Sequence, residues 1–81
     1  MRYTVILEPT QEPDQPGWYY ARIPALDLTT HGMGVEGAMA AARDLVEGWL
    51  HALADQGLPP PEDRTTFVGH IDAGGDALHS V

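Results

Sequence analysis

VEGAMAAARDLVEGWLHALADQ, residues 35–56, is where the period of the chain changes. Val35, Ala38, Met39, Ala42, Leu45, Val46, Trp49, Leu50 and Leu53 recur at three- and four-residue steps, which predicts an amphipathic helix. Glu36, Arg43, Asp44, Glu47, His51 and Asp55 mark its opposite face. Gly57 is placed to cap the C-terminus, and Pro59-Pro60-Pro61 prevents continuation. At the other end Gly34 is the expected N-cap, although it offers no side-chain acceptor. Glu36, near the positive end of the helix dipole, offsets this by about 0.3–1 kcal/mol. Gly37 and Gly48 each cost the helix about 1 kcal/mol relative to alanine, so packing of the apolar stripe has to override them.

Everything before this helix reads as β-structure. Residues 2–8 (RYTVILE) are rich in β-branched and aromatic side chains and predict a first strand ended by Pro9. Its alternation puts Tyr3, Val5 and Leu7 on one side and Thr4, Ile6 and Glu8 on the other. QEPDQPG is a turn-rich connection. Residues 18–23 (WYYARI) predict a second strand stopped by Pro24, with Tyr19, Ala21 and Ile23 opposed to Trp18, Tyr20 and Arg22. A short third strand is expected around residues 28–31, where alternation is poor. Beyond the prolines, residues 65–71 (TTFVGHI) predict a last strand with Phe67, Gly69 and Ile71 on one side. The expected organisation is one α+β domain over residues 1–72, in the order β-β-β-α-β, followed by a flexible tail over residues 73–81.

One helix covers one face of a three- or four-stranded, mostly antiparallel sheet. Val5, Leu7, Tyr19, Ala21, Ile23, Phe67 and Ile71 are the expected partners of the helix. Ile6, Trp18, Tyr20, Arg22, Val68 and His70, together with Thr4, then form the second face. A soluble monomer rarely leaves such a surface open, and Trp, Tyr and Arg are enriched at binding hot spots. Three readings follow: an interface with a second copy or another protein, a face roofed by the C-terminal tail, or a half-wet sheet. Self-association into a dimer or larger assembly is expected. A one-residue register shift would exchange the two faces.

Composition narrows the partners. The chain has 81 residues, no cysteine and a net charge of −8, and its four basic residues are all arginine. A chain this short buries only about 60–65% of its unfolded surface, so its net stability is small. Neither a disulfide nor a thiolate metal site is available as a staple. Four scattered arginines do not make a phosphate-binding surface, so direct contact with nucleic acid or an anionic membrane is not expected. A basic protein partner suits the charge, with Glu36, Asp44 and Glu47 as acidic partner-facing residues of the helix. Plain solubility is the alternative reading of the same charge. The apolar run near the N-terminus is too short for a signal-peptide core or a membrane span, so a cytoplasmic protein is expected.

Motifs for catalysis are missing. His31, His51, His70 and His79 are the candidate metal ligands or general bases, and none has HExxH-type spacing. His51 lies one turn from Glu47 and Asp55, an arrangement usual on solvated helix surfaces. There is no G-x-S-x-G elbow, and HGMGVEG is not a G-x-G-x-x-G fingerprint. No enzymatic activity, metal or cofactor is expected. A small hydrolase would need acidic residues clustered on the strands, whereas the acids here lie mostly on helix and loops.

RYTVILEP, GWYYARIPAL, THGMGVEGAMAAARDLVEGWLHAL and QGLPPPED, taken in order over about residues 2–63, resemble the N-terminal domain of HicB-family antitoxins. The resemblance implies a small sheet with one main helix, a partial RNase H-like fold. It also implies binding rather than catalysis. HicB antitoxins neutralise HicA, a small basic ribonuclease toxin, by covering its active surface. Many members carry a further DNA-binding domain, and the ten or so tail residues here are too few to form one. Asp27-Leu28-Thr29 replaces the family's usual Pro-Gly-Cys, and Met33-Gly34 replaces acidic or hydroxyl residues where the helix begins. The expected function is therefore a HicB-like antitoxin module, with an orphan homo-oligomeric structural or regulatory module as the alternative.

Overall fold

The computed structural model describes residues 1–11, 14, 16–64 and 66–74. Three strands, β1 (Ile6–Pro9), β2 (Trp18–Ile23) and β3 (Leu28–Met33), form an antiparallel sheet in the order β1-β2-β3. A 3-10 turn (Pro24–Leu26) joins β2 to β3, and the helix α1 (Gly34–Asp55) follows. The fold is thus α+β, with one main helix on one side of the sheet.

The register shows why the helix settles on that side. Leu7 lies opposite Ala21, and Ala21 lies opposite Thr30. Ile23 lies opposite Leu28, and Tyr19 opposite Gly32. By the two-residue period these positions share a face. Ala21, Ile23, Leu26, Ala38 and Ala42 are buried there, with Tyr3, Val5, Leu7, Tyr19, Leu28, Leu45 and Val46 packed around them. Among the described residues, Ile23 is the only large side chain that is fully buried.

Small residues let the two layers close. A Cβ built on Gly32 would stand 2.5 Å from the carbonyl carbon and oxygen of Gly37 and 2.6 Å from the amide nitrogen of Ala38. Backbone therefore meets backbone where β3 turns into α1. Gly34, at φ +67°, makes that reversal in one residue, and its N–H donates to the Gly17 carbonyl at 2.8 Å. Met33, rather than the expected Gly34, occupies the N-cap position, with no side-chain hydrogen bond. The far end is better made. Gly57, at φ +70°, donates to the Ala54 carbonyl at 3.0 Å, and Leu58 donates to the Leu53 carbonyl at 2.9 Å. That pair of bonds is a Schellman motif.

Three expectations need correction. The first strand begins at Ile6 rather than residue 2 and runs through Pro9. An edge strand tolerates proline because one row of its backbone groups needs no partner. The residues before it are held differently. Thr4 donates its N–H to one Asp63 carboxylate oxygen at 3.0 Å and its hydroxyl to the other at 2.7 Å. The Tyr3 hydroxyl donates to the Pro61 carbonyl. The third strand is longer than expected and extends to Met33.

The last strand, expected over residues 65–71, is not formed among its described residues 66–71. Phe67 and Ile71, expected under the helix, are 88% and 94% exposed. β-propensity becomes a strand only where an edge accepts the hydrogen bonds, and residues 66–71 pair with no strand of the sheet. Of the tail expected over residues 73–81, residues 75–81 lie outside the described residues.

Gly32→Ala is expected to destabilise the fold by about 1–3 kcal/mol or more, because backbone atoms cannot give way as a side chain does. Gly48, by contrast, has open space where a Cβ would stand. Gly48→Ala should stabilise by up to about 1 kcal/mol through helix propensity. Urea midpoints of the two variants against the parent test both signs.

The Thr4 N–H, and after it the Thr4 hydroxyl, hold the Asp63 carboxyl below the usual carboxylate range. A carboxyl with a lowered value favours the latched state above its ordinary titration range, and that preference is lost as pH falls through the lowered value. Protection of the Thr4 amide against hydrogen exchange should therefore hold from neutral pH into the acid range and then collapse. In Asp63→Ala it should be lost already at neutral pH.

Candidate binding face

β2 turns one set of side chains into the core and the other away from it. Tyr19, Ala21 and Ile23 pack toward α1, so Trp18, Tyr20 and Arg22 project from the opposite side of the sheet. The register completes that face. Tyr20 sits between Glu8 on β1 and His31 on β3, and Arg22 sits between Ile6 and Thr29. Trp18 lies opposite Met33.

Three rings form its centre. The His31 ring is 5.2 Å from that of Trp18, tilted by 40°, and 6.4 Å from that of Tyr20, edge-on at 65°. Both separations fall within the range of favourable aromatic pairs. Cross-strand and diagonal neighbours of this kind each stabilise a sheet by roughly 0.2–1 kcal/mol. Tyr20 remains 41% exposed and Met33 57% exposed, while Trp18 and Ile6 are half-buried. The result is an aromatic patch flanked by Arg22 and Glu8, able to bury apolar area and to fix orientation through charge.

Ile6, Trp18, Tyr20 and Arg22, the sequence-derived candidates, thus come together on one face. Val68 and His70 do not join them; both lie exposed on the segment after Arg64. The ring beside Trp18 and Tyr20 belongs to His31 instead. The alternation of residues 28–33 is carried partly by Gly32, so the side on which His31 falls is weakly marked in the sequence. Gly32 is buried under the helix, yet a glycine has no side chain to register in a hydropathy pattern.

Glu36, Asp44 and Glu47 are exposed on α1. The sheet separates them from the aromatic patch, so the acidic and aromatic candidates form two surfaces, one on each side of the layer. Among the described residues no group of three His, Asp or Glu side chains could hold a metal ion. No helix among them is long and apolar enough to cross a membrane. No family model, curated protein or solved structure matches the chain.

Proposed function

We propose that this chain is a HicB-like protein-binding module that neutralises a small, basic, HicA-like ribonuclease toxin by covering its active surface. The observation that carries this reading is the open aromatic face of Trp18, Tyr20 and His31 on a molecule of net charge −8. Large flat rings supply buried area at low cost in rotamer entropy, and Trp, Tyr and Arg dominate the energetics of protein interfaces. Excess negative charge speeds encounter with a cationic protein and disfavours acidic competitors. The α+β architecture agrees with the fold that the HicB resemblance implies. The acidic residues Glu36, Asp44 and Glu47 lie on the far side, so they act in steering rather than in direct contact with the same partner surface.

A homo-oligomeric module without a toxin is the second reading. It is favoured by the exposed apolar side chains of Met33, Met39 and Trp49, which a small monomer rarely leaves in water together.

Titration calorimetry with a HicA-like toxin separates the two. Trp18→Ala combined with Tyr20→Ala is expected to weaken binding by about 100-fold or more and to restore RNA cleavage by the toxin. Added salt should slow association while changing dissociation little. Failure of the parent protein to bind the toxin, or unchanged affinity in the double variant, overturns the toxin reading.

A further inference from the structure

β3 is an edge strand, paired only with β2, and its outward positions are Thr29, His31 and Met33. His31 is exposed there, directly across from Tyr20, with the Trp18 ring 5.2 Å and the Tyr20 ring 6.4 Å from its own. Among the described strand residues, the other charged or titratable groups on this side are Glu8 on β1 and Tyr20 and Arg22 on β2. α1 lies against the opposite side, so Glu36, Arg43, Asp44 and Glu47 are separated from the rings by the sheet. Glu8 and Arg22 cancel formally. The sign of the aromatic face is therefore set by His31: an imidazole leaves the face neutral, and an imidazolium makes it cationic.

We infer that His31 is a proton switch on the partner-binding face: neutral, it leaves the Trp18 and Tyr20 rings open to a basic protein, and protonated, it disfavours that protein. The switch rests on the toxin reading proposed above and adds its regulation.

Two effects act in the same direction. The faces of Trp and Tyr rings attract cations within about 6 Å, so arginine or lysine side chains of a basic partner gain by lying over them. The His31 imidazolium, 5.2 Å from the Trp18 ring, takes up that attraction from within the chain. It also places like charge where a cationic surface has to make contact. Contact excludes water there, and charges repel more strongly across a dry interface than across solvent. Histidine is the side chain whose charge ordinarily changes between about pH 5 and 8. By linkage, the partner favours the neutral ring as strongly as the proton disfavours the partner. The other described histidines are placed differently: His51 is on α1, and His70 is exposed on the segment after Arg64.

Titration calorimetry of the full chain with the HicA-like toxin at about pH 8 and about pH 5.5 reads the switch. The dissociation constant of the parent should rise by about 10-fold at the lower pH, with circular dichroism unchanged. His31→Gln, uncharged at both values, should lose most of that ratio. His31→Arg, cationic at both, should bind more weakly than His31→Gln at both, and His51→Gln should keep the parental ratio. Titration of the toxin itself acts on every chain alike, so the difference between the parent and His31→Gln belongs to His31. A toxin that fails to bind the parent at the higher pH overturns the toxin reading and the switch with it. A toxin that binds the parent equally at both values, or a His31→Gln chain that keeps the parental ratio, overturns the switch alone.

Discussion

The close approach of Gly32 to the Gly37–Ala38 backbone sets the spacing of the whole molecule. A sheet and a helix pack at the distance their contact residues allow, and here the seam is built from Gly32, Ala21, Ala38 and Ala42. Helix and strand meet without a linker, so the direction of α1 follows directly from the end of β3. The Gly34–Gly17 hydrogen bond then ties the start of the helix to the turn before β2. Such a seam is economical in length but buries little: among the described residues, Ile23 alone contributes a large side chain that is fully enclosed.

That thin core explains where the apolar surface went. Trp18, Tyr20, Met33, Met39, Trp49 and Phe67 are all too large for a seam of alanines and glycines, and each keeps part of its surface in water. They are grouped. Trp18, Tyr20 and Met33 belong to the outer sheet face, Met39 lines a groove with Tyr3 and Val5 on the helix side, and Phe67 lies on the segment after Arg64. Apolar surface gathered into patches and rimmed by charge is characteristic of binding surfaces. A chain of this size gains stability most readily by association when disulfides are absent. The exposed apolar side chains thus lie on both sides of one sheet.

Much of this was legible beforehand, for identifiable reasons. WYYARI alternates cleanly between two flanking breakers, and its span and its two faces are as the pattern requires. The helix carries a long stripe at three- and four-residue steps and ends where Gly57 and the prolines stop it. The aromatic face followed from these two facts alone. Two other positions were opaque. His31 takes the place expected for His70 because the β2–β3 register sets it opposite Tyr20, while residues 66–71 form no strand; neither pairing is written in hydropathy. TTFVGHI has strand composition, but composition carries no information about which edge, if any, is within reach.

Period, breakers and charge are local properties of a chain, so the sequence by itself determined the three strands, the single long helix, which side of β2 faces inward and the acidic character of the surface. Distances between segments remote in sequence are not local. Only the tertiary structure decided that Gly32 lies against Gly37 and Ala38, that Asp63 latches onto Thr4, that the His31 ring meets those of Trp18 and Tyr20, and that residues 66–71 form no strand. Each of these depends on which backbone groups the packed seam brings within a few ångströms, and close packing is a property of the assembled layers rather than of any one segment.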